Sequence, residues 1–180
     1  MNTMEESLRK FEETANRYLL ELNGFELEQL RLQPSENEWS LGQMYLHLIN
    51  SALYMQLRNI DNCLTQEEDS AGSLPEKTKE GQAIMERGQF PPIRIQVPPS
   101  PQYTPGQPES KEQLIEGLHT VIARMKEIMP KLEQAPVRNS MPHPRFGALN
   151  AQEWFLLIEM HYRHHLMQMD RLKQFIAGSA

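Results

Sequence analysis

The chain has 180 residues, a net charge of -6 and one cysteine, Cys63. A chain of this length can bury a hydrophobic core without disulfides. Its Lys and Arg residues form no run that would serve as a nucleic-acid footprint. Its apolar runs are much shorter than the roughly 20 residues of a membrane span, and its first residues lack the apolar core of a signal peptide. We therefore expect a cytoplasmic protein that binds neither nucleic acid nor membrane.

The first predicted helix is indicated by apolar residues that recur every three or four positions from Leu8 to Leu22. Thr3 and Glu6 can form a capping box at its start, and Asn23-Gly24 can end it. Residues 25–32 have the pattern of a short helical turn, and a polar loop follows.

The second predicted helix begins after Ser40, because Ser40 can act as the N-cap with Gln43 as its capping-box partner. An apolar stripe runs from Leu41 to Leu64 and includes Met55. His47 lies at the border of this stripe, about two turns after the cap. Its ring can therefore face the interior of a helical bundle near one end.

The segment 66–109 has a different character and predicts a long insertion. Pro75–Gly88 can hold a short helix that begins at the proline, and the alternating residues Ile93–Val97 suggest an isolated extended piece. Residues 90–108 contain seven of the 13 prolines, so this part cannot be a regular helix. A connection of this length makes sense if the second and third helices run parallel.

The third predicted helix starts at Ser110, with Gln113 completing a capping box, and its stripe continues from Leu114 to Met129. Pro130 either kinks this helix or ends it. Residues 136–147 are predicted to form a loop. Together with a fourth helix, these elements predict an all-α four-helix bundle in which residues 1–180 form one domain.

The fourth predicted helix runs from Asn150 to about Ile176 and carries His161 and His165 on its apolar face. A spacing of four residues puts both imidazoles on one side of a helix, one turn apart. Two such imidazoles can share a divalent metal ion, and His47 is the candidate for a third ligand. The alternative is that these histidines are hydrogen-bonded packing residues, which is the usual role of a histidine on an apolar stripe.

Three motifs together resemble the DinB-like superfamily of four-helix-bundle proteins: the stretch Glu38–His47 (EWSLGQMYLH), His143–Gly147 (HPRFG), and the pair His161 and His165. The resemblance implies an up-down-down-up bundle. It also implies a divalent metal, often nickel or zinc, bound by His47, His161 and His165. Characterised relatives include S-transferases that use thiols such as bacillithiol, and a mycothiol-dependent isomerase. Homodimers are common in the family. The family's name describes induction by DNA damage and does not imply DNA binding.

Three neutral imidazoles with an open coordination position are typical of a catalytic metal site. The expected function is a metal-dependent thiol S-transferase, with a metal-dependent hydrolase and a non-catalytic metal-binding or stress-response bundle as alternatives. The sequence identifies no general acid or base. Glu159 and Gln168 lie within a turn of the histidines, and Tyr162 either packs in the core or orients a substrate.

The other histidines and the cysteine are less suited to the site. His164 points about 100° away from its neighbour on the helix. His119 belongs to one Glu-x-x-His sequence, whereas a di-iron site needs two, so it is interpreted as a surface residue. His143 lies between prolines and is predicted to shape a loop. Cys63 is about four helical turns from the nearest candidate ligand.

Overall fold

The structure, a computed structural model, describes residues 3–66, 75–93 and 104–179. Its helices are α1 Met4–Leu22, α2 Leu27–Leu30, α3 Leu41–Ser51, α4 Leu57–Thr65, α5 Lys79–Arg87, α6 Lys111–Leu132, α7 Ala151–His164 and α8 Leu166–Gly178. A π-helical turn, Ala52–Gln56, joins α3 to α4, and two short strands, β1 Ser140–His143 and β2 Gly147–Asn150, precede α7. Most of the extended piece predicted at Ile93–Val97 lies outside the described residues.

Four of the helices begin at the N-caps that the sequence predicts. The predicted N-caps are Thr3, Ser40, Ser110 and Asn150, and each accepts a hydrogen bond from the backbone N–H three residues later. Full capping boxes form at Ser40 and Asn150. At α6 the side chain of Gln113 accepts from the backbone of Glu109, one residue before the predicted partner. The helix starts were predictable because capping depends on neighbouring residues.

The helices pack around one apolar cluster, in which α1 lies against α6 and α7. Gly117 of α6 lies against Ile49 of α3, and Arg124 forms an ion pair with Asp61 of α4 at 2.7 Å. From the first of these contacts to the second, the residue numbers increase both in α3–α4 and in α6. The helix α6 therefore runs in the same direction as α3 and α4. The path of the whole crossover 66–109 stays a prediction, because residues 67–74 and 94–103 are outside the described part.

The last helices run opposite to α3 and α4. His47 near the start of α3 meets His161 in α7, and Cys63 near the end of α4 donates a long S–H hydrogen bond to the carbonyl of Leu149, just before α7. The residue numbers of these contacts therefore decrease towards the start of α7 as they increase along α3 and α4. This antiparallel packing brings His47 to the end of α7 that carries the two other histidines.

The second predicted helix is not a uniform α-helix. The π-helical turn Ala52–Gln56 changes its helical phase, so Ala52 and Gln56 are buried there, whereas Met55 is half-buried. The residues of the predicted stripe, Met55 included, lie in the core or pack against it, but the π-helical turn was not predicted, because the stripe assumes 3.6 residues per turn throughout.

The prediction of a loop over 136–147 was wrong at residues 140–143 and at Gly147, because β1 and β2 form an antiparallel hairpin there, whereas 136–139 and 144–146 are loop and turn. Nδ1 of His143 accepts hydrogen bonds from the backbone N–H groups of Arg145 and Phe146, which closes the turn. Gly147 has φ of 77° and pairs with Lys77 of the insertion. The hairpin thus depends on a side-chain acceptor and on a distant segment, neither of which appears in local periodicity.

One helix boundary also differs from its prediction, and a second, which the sequence left open, is now decided. The short helix in the insertion begins at Lys79, after the N-cap Thr78, and not at Pro75. Pro130 does not end α6, which continues to Leu132. In the described part of the chain, no helix combines the length and the apolar character needed to cross a membrane.

Candidate metal site

Three helices, α3, α7 and α8, position the three candidate histidines. His47 is in the second turn of α3, whose start is fixed by the Ser40 capping box, and its ring lies 4.9 Å from that of Trp39. His161 is in the last turn of α7, and His165 is the residue that joins α7 to α8. The antiparallel packing of α3 against the end of α7 brings all three rings together.

The three imidazoles converge through their Nε2 atoms. Nε2 of His161 lies 3.0 Å from Nε2 of His47 and 3.2 Å from Nε2 of His165. One ligand nitrogen from each of the three residues lies within 4.8 Å of those of the others. Two nitrogens at about 2.0–2.1 Å from one tetrahedral zinc ion are roughly 3.4 Å apart. The arrangement therefore fits a small divalent cation.

The hydrogen bonds and the burial of these rings favour the metal-binding protonation state. Nδ1 of His165 donates to Oε1 of Gln168 at 2.6 Å, which leaves the lone pair of its Nε2 free. Burial, and then His165, lower the pKa of His47 to about 3. Burial lowers the pKa of His165 to about 4, and it lowers that of His161 well below the usual value. All three rings are thus neutral at pH 7, as metal ligands must be.

His165 interrupts the helix that the sequence predicted as continuous from Asn150 to Ile176. Its backbone has φ of -80° and ψ of -3°, and it ends α7 and precedes α8. This sparsely populated bridge region often holds active-site residues. The prediction of one uninterrupted helix was wrong at this residue, because the apolar periodicity does not report the change in its backbone angles; the bonds from the His165 N–H to the His161 carbonyl and from the Met169 N–H to the His165 carbonyl continue across it.

A cavity of about 730 Å³ opens beside the three histidines. Its walls are largely apolar and aromatic, with Trp39, Met55, Phe90, Phe146, Leu157, Leu172 and Phe175 among the lining residues. Polar groups on its lining include Gln56, His143, His164 and Arg145. A site of this size and composition is typical of small-molecule binding.

The residues considered as general acid or base are engaged elsewhere. Glu159 is 2% exposed and forms an ion pair with Arg163 at 2.8 Å, and Arg163 also donates to the carbonyl of Gly88. Gln168 orients a candidate ligand. Tyr162 is fully buried, with its ring 4.8 Å from that of Phe11, so it packs in the core.

The remaining candidates lie where the sequence placed them or close to it. His164 lines the cavity, with its ring 5.3 Å from that of Phe90, but it is not part of the converging set. His119 is exposed on α6. His143 shapes the hairpin turn and also lines the cavity. Cys63 is buried at the far end of α4, where burial raises the pKa of its thiol to about 11.

Sequence reasoning did not identify the orienting role of Gln168 or the position of Gln56. The spacing of three residues between His165 and Gln168 was an available signal, since such residues neighbour each other on a helix. Gln56 had no local signal, because a straight α-helix would place it on the side opposite His47.

Known proteins resemble this chain in sequence and in structure. The family model described as the DinB superfamily matches residues 10–169. YuaE, an uncharacterized protein of Bacillus subtilis (strain 168), is 24% identical over 156 residues, which are 87% of this chain and 90% of the relative. The crystal structure of TT2238, a four-helix bundle protein, matches with a TM-score of 0.58 at 19% identity and covers 94% of this chain and 99% of that one. The predicted four-helix-bundle fold is thereby confirmed.

Proposed function

The chain belongs to the DinB superfamily, and we propose that it binds one divalent metal ion through the Nε2 atoms of His47, His161 and His165. The observation that carries this proposal is the convergence of three neutral imidazole nitrogens on one point beside a cavity. Zinc or nickel is the proposed ion, because imidazole nitrogen suits both.

We further propose that the protein is a thiol S-transferase, which joins a low-molecular-weight thiol such as bacillithiol to an electrophilic acceptor. When bound, the ion supplies Lewis acidity that lowers the pKa of a coordinated thiol. In the transfer the thiol gives its proton to solvent water, its sulfur forms a bond to the acceptor carbon, and the leaving group departs with the electron pair of its broken bond.

The chain's own residues support such a reaction through position and solvation. Gln168 holds His165 in the tautomer that presents Nε2 to the site. Three protein ligands leave a coordination position open for substrate. The apolar walls, including Trp39 and Phe90, can exclude water from a reactive thiolate and hold an apolar acceptor. A homodimer is proposed from the family resemblance.

Two alternatives use the same ligands. A hydrolase would place water at the open position. A non-catalytic metal-binding bundle is favoured by one specific observation, namely that Glu159, a buried carboxylate two residues before His161, is held by Arg163. These alternatives differ from the transferase in the reaction of the metal-loaded protein: a hydrolase needs no thiol, and a non-catalytic bundle converts no substrate.

The first experiment is metal analysis of the purified protein after incubation with zinc or nickel. We expect about one ion per chain in the wild type and in His119→Ala, an exposed histidine that serves as the matched control. His47→Ala and His161→Ala should lose the ion while keeping their helical circular dichroism. Metal content that is unchanged in both variants would contradict the site.

The second experiment distinguishes the transferase, the hydrolase and the non-catalytic bundle. The loaded protein is incubated with thiols and an electrophilic acceptor, and in parallel with ester and amide substrates. Thiol consumption that stops with a chelator and returns with added metal supports the transferase. Turnover without a thiol supports the hydrolase, and metal binding without turnover supports the non-catalytic bundle.

A further inference from the structure

Arg145 is the charged residue of the motif His143–Gly147. In that motif His143 closes the hairpin turn, and Phe146 forms part of the cavity wall. The side chain of Arg145 is 45% exposed and lines the same cavity as the three candidate ligands. A permanently charged guanidinium beside a small-molecule site is a candidate for the recognition of an anion.

The position of Arg145 is set by the fold. Its backbone N–H takes part in the hairpin turn, and its carbonyl accepts a hydrogen bond from Oγ1 of Thr78 at 2.9 Å. Its guanidinium carbon lies 5.7 Å from the centre of the Phe146 ring, which is itself 5.6 Å from the ring of Phe90. The ring of Phe90 lies 6.3 Å from that of His161. A row of cavity-lining rings therefore connects Arg145 to the candidate metal site.

The positive charge of Arg145 acts on the cavity lining. Burial, and then this charge, lower the pKa of His143 to about 4 and that of His164 below its usual value. Both histidines line the cavity. Among the described residues on the lining, the formally charged ones are Arg145, Arg171 and Glu38. Cations thus exceed anions there, in a chain whose net charge is -6, and a bound divalent ion adds to this excess.

The ion pair between Arg145 and Glu80 uses one of the guanidinium donors. Nε of Arg145 donates to Oε2 of Glu80 at 2.5 Å, and its two Nη atoms donate no hydrogen bond to the residues that the structure describes. The N–H groups on these two atoms form a fork that fits a carboxylate with two parallel hydrogen bonds. Glu80 repels a doubly charged phosphate more strongly than a singly charged carboxylate. A carboxylate is therefore the better match.

We propose that Arg145 is a specificity-determining residue, whose Nη groups bind a carboxylate of the thiol substrate at the exposed side of the cavity. This inference rests on the proposed metal-bound thiol, because the sulfur fixes the other end of the molecule. The largely apolar walls suit the acceptor, so the negative charge is assigned to the thiol. The competing explanation is that Arg145 only pairs with Glu80 and thereby holds α5 against the hairpin.

The test uses the full-length protein loaded with cobalt and a series of probe thiols. Mercaptobutanoate, mercaptohexanoate and mercaptooctanoate, with the sulfur on the terminal carbon, are each compared with their primary amides, which have nearly the same shape but no charge. Binding is read from the thiolate-to-cobalt charge-transfer absorption. Because the cobalt ion itself attracts the acids, the measured quantity is the ratio of acid to amide affinity in each variant, relative to the wild type.

Two variants of Arg145 and one control measure the role of its charge. At the best-fitting length Arg145→Gln should lower the ratio about fivefold, the size expected for a partly exposed charge pair. Arg145→Lys keeps the charge without the fork and should retain part of the preference. Arg138→Gln removes the same charge from an exposed position outside the cavity lining and should leave the ratio unchanged.

Glu80→Gln separates recognition from the structural ion pair. It breaks the same pair as Arg145→Gln, but it keeps the guanidinium and removes the carboxylate that competes with the ligand. Recognition by Arg145 predicts that the ratio rises in this variant, by about twofold, and falls in Arg145→Gln. A purely structural pair predicts that both variants change the ratio in the same direction.

The outcomes distinguish this inference from the proposed function. A cobalt spectrum that responds to no thiol, or no cobalt binding, overturns both. Thiol binding with the same ratio in Arg145→Gln and in the wild type at every length overturns the role of Arg145 and leaves the metal site intact. A ratio that falls equally in Arg138→Gln or in Glu80→Gln also overturns it. If Arg145→Gln does not fold, the Glu80→Gln protein decides, and a ratio that does not rise there overturns the role.

Discussion

Replacing Gln168 by Met should weaken metal binding without abolishing it. Gln168 does not contact the ion in the proposed site, but its Oε1 accepts a hydrogen bond from Nδ1 of His165 at 2.6 Å. This bond fixes both the tautomer and the orientation of the ring. Methionine has a similar length and no strong acceptor, so the variant removes the bond while it keeps most of the volume.

The expected change in zinc affinity follows from the role of Gln168, which orients a ligand and is not itself a ligand. Loss of a partner that orients a ligating histidine typically costs 10–100-fold in metal affinity. We therefore expect the dissociation constant for zinc to rise by this factor, which corresponds to about 1.4–2.7 kcal/mol. The stoichiometry should remain one ion per chain, since the three Nε2 atoms are still present.

The assay is a competition titration of zinc between the protein and a chromophoric chelator. Gln174→Met serves as the control, because Gln174 is an exposed glutamine of α8. An affinity that is equal in the Gln168→Met protein and the wild type would show that His165 does not bind through Nε2 in the tautomer described. Complete loss of zinc from a folded variant would instead make Gln168 a ligand, which contradicts the three-histidine assignment.

Three further outcomes follow from the structure. Zinc at a hundredfold excess over its dissociation constant should raise the free energy of unfolding by about 2.7 kcal/mol, and His161→Ala should lose this gain in thermal unfolding. In the metal-free protein the unfolded state binds a proton at His47 below pH 6.5, while the folded pKa is about 3, so stability should fall as the pH is lowered through this window. In urea titrations at a series of pH values His47→Gln should flatten that dependence by up to about 1.4 kcal/mol per pH unit, and an unchanged slope would contradict the burial of a neutral ring. Gly81→Ala should destabilise the protein by about 1–3 kcal/mol in urea unfolding, because its Cβ would lie 2.2 Å from the carbonyl oxygen of Phe146, whereas Gly106→Ala, with open space around it, should be nearly neutral.

Four of the helix starts and much of the core could be predicted from the sequence because they depend on local chemistry. Ser40 and Asn150 cap helices through residues three positions away, and apolar stripes report burial wherever the backbone keeps 3.6 residues per turn. The hairpin before α7 could not be predicted in this way. Its turn depends on His143 as an acceptor, and its edge pairs with Lys77, which is far away in sequence.

The candidate site likewise has features that local sequence predicts and features that it does not. The spacing of His161 and His165 on one helix was a local signal, and the order of the family motifs added His47. The break at His165 and the π-helical turn before α4 were not predictable, because apolar periodicity continues through both. The position of Gln56 on the cavity lining therefore became visible only in three dimensions.

The three histidines are held in place by core contacts that do not involve a metal ion. Tyr18 donates to the backbone carbonyl of Tyr162 at 2.7 Å, and Tyr45 donates to the carbonyl of Tyr18 at 2.6 Å. Tyr162 follows His161 directly, and Tyr45 precedes His47 by two residues, so these buried bonds tie α1 to both helices that carry ligands. Sites whose supporting residues are fixed by packing need little reorganisation when they bind. The regular part of the bundle thus positions the imidazoles, while the two irregular turns, at Ala52–Gln56 and at His165, shape the cavity beside them.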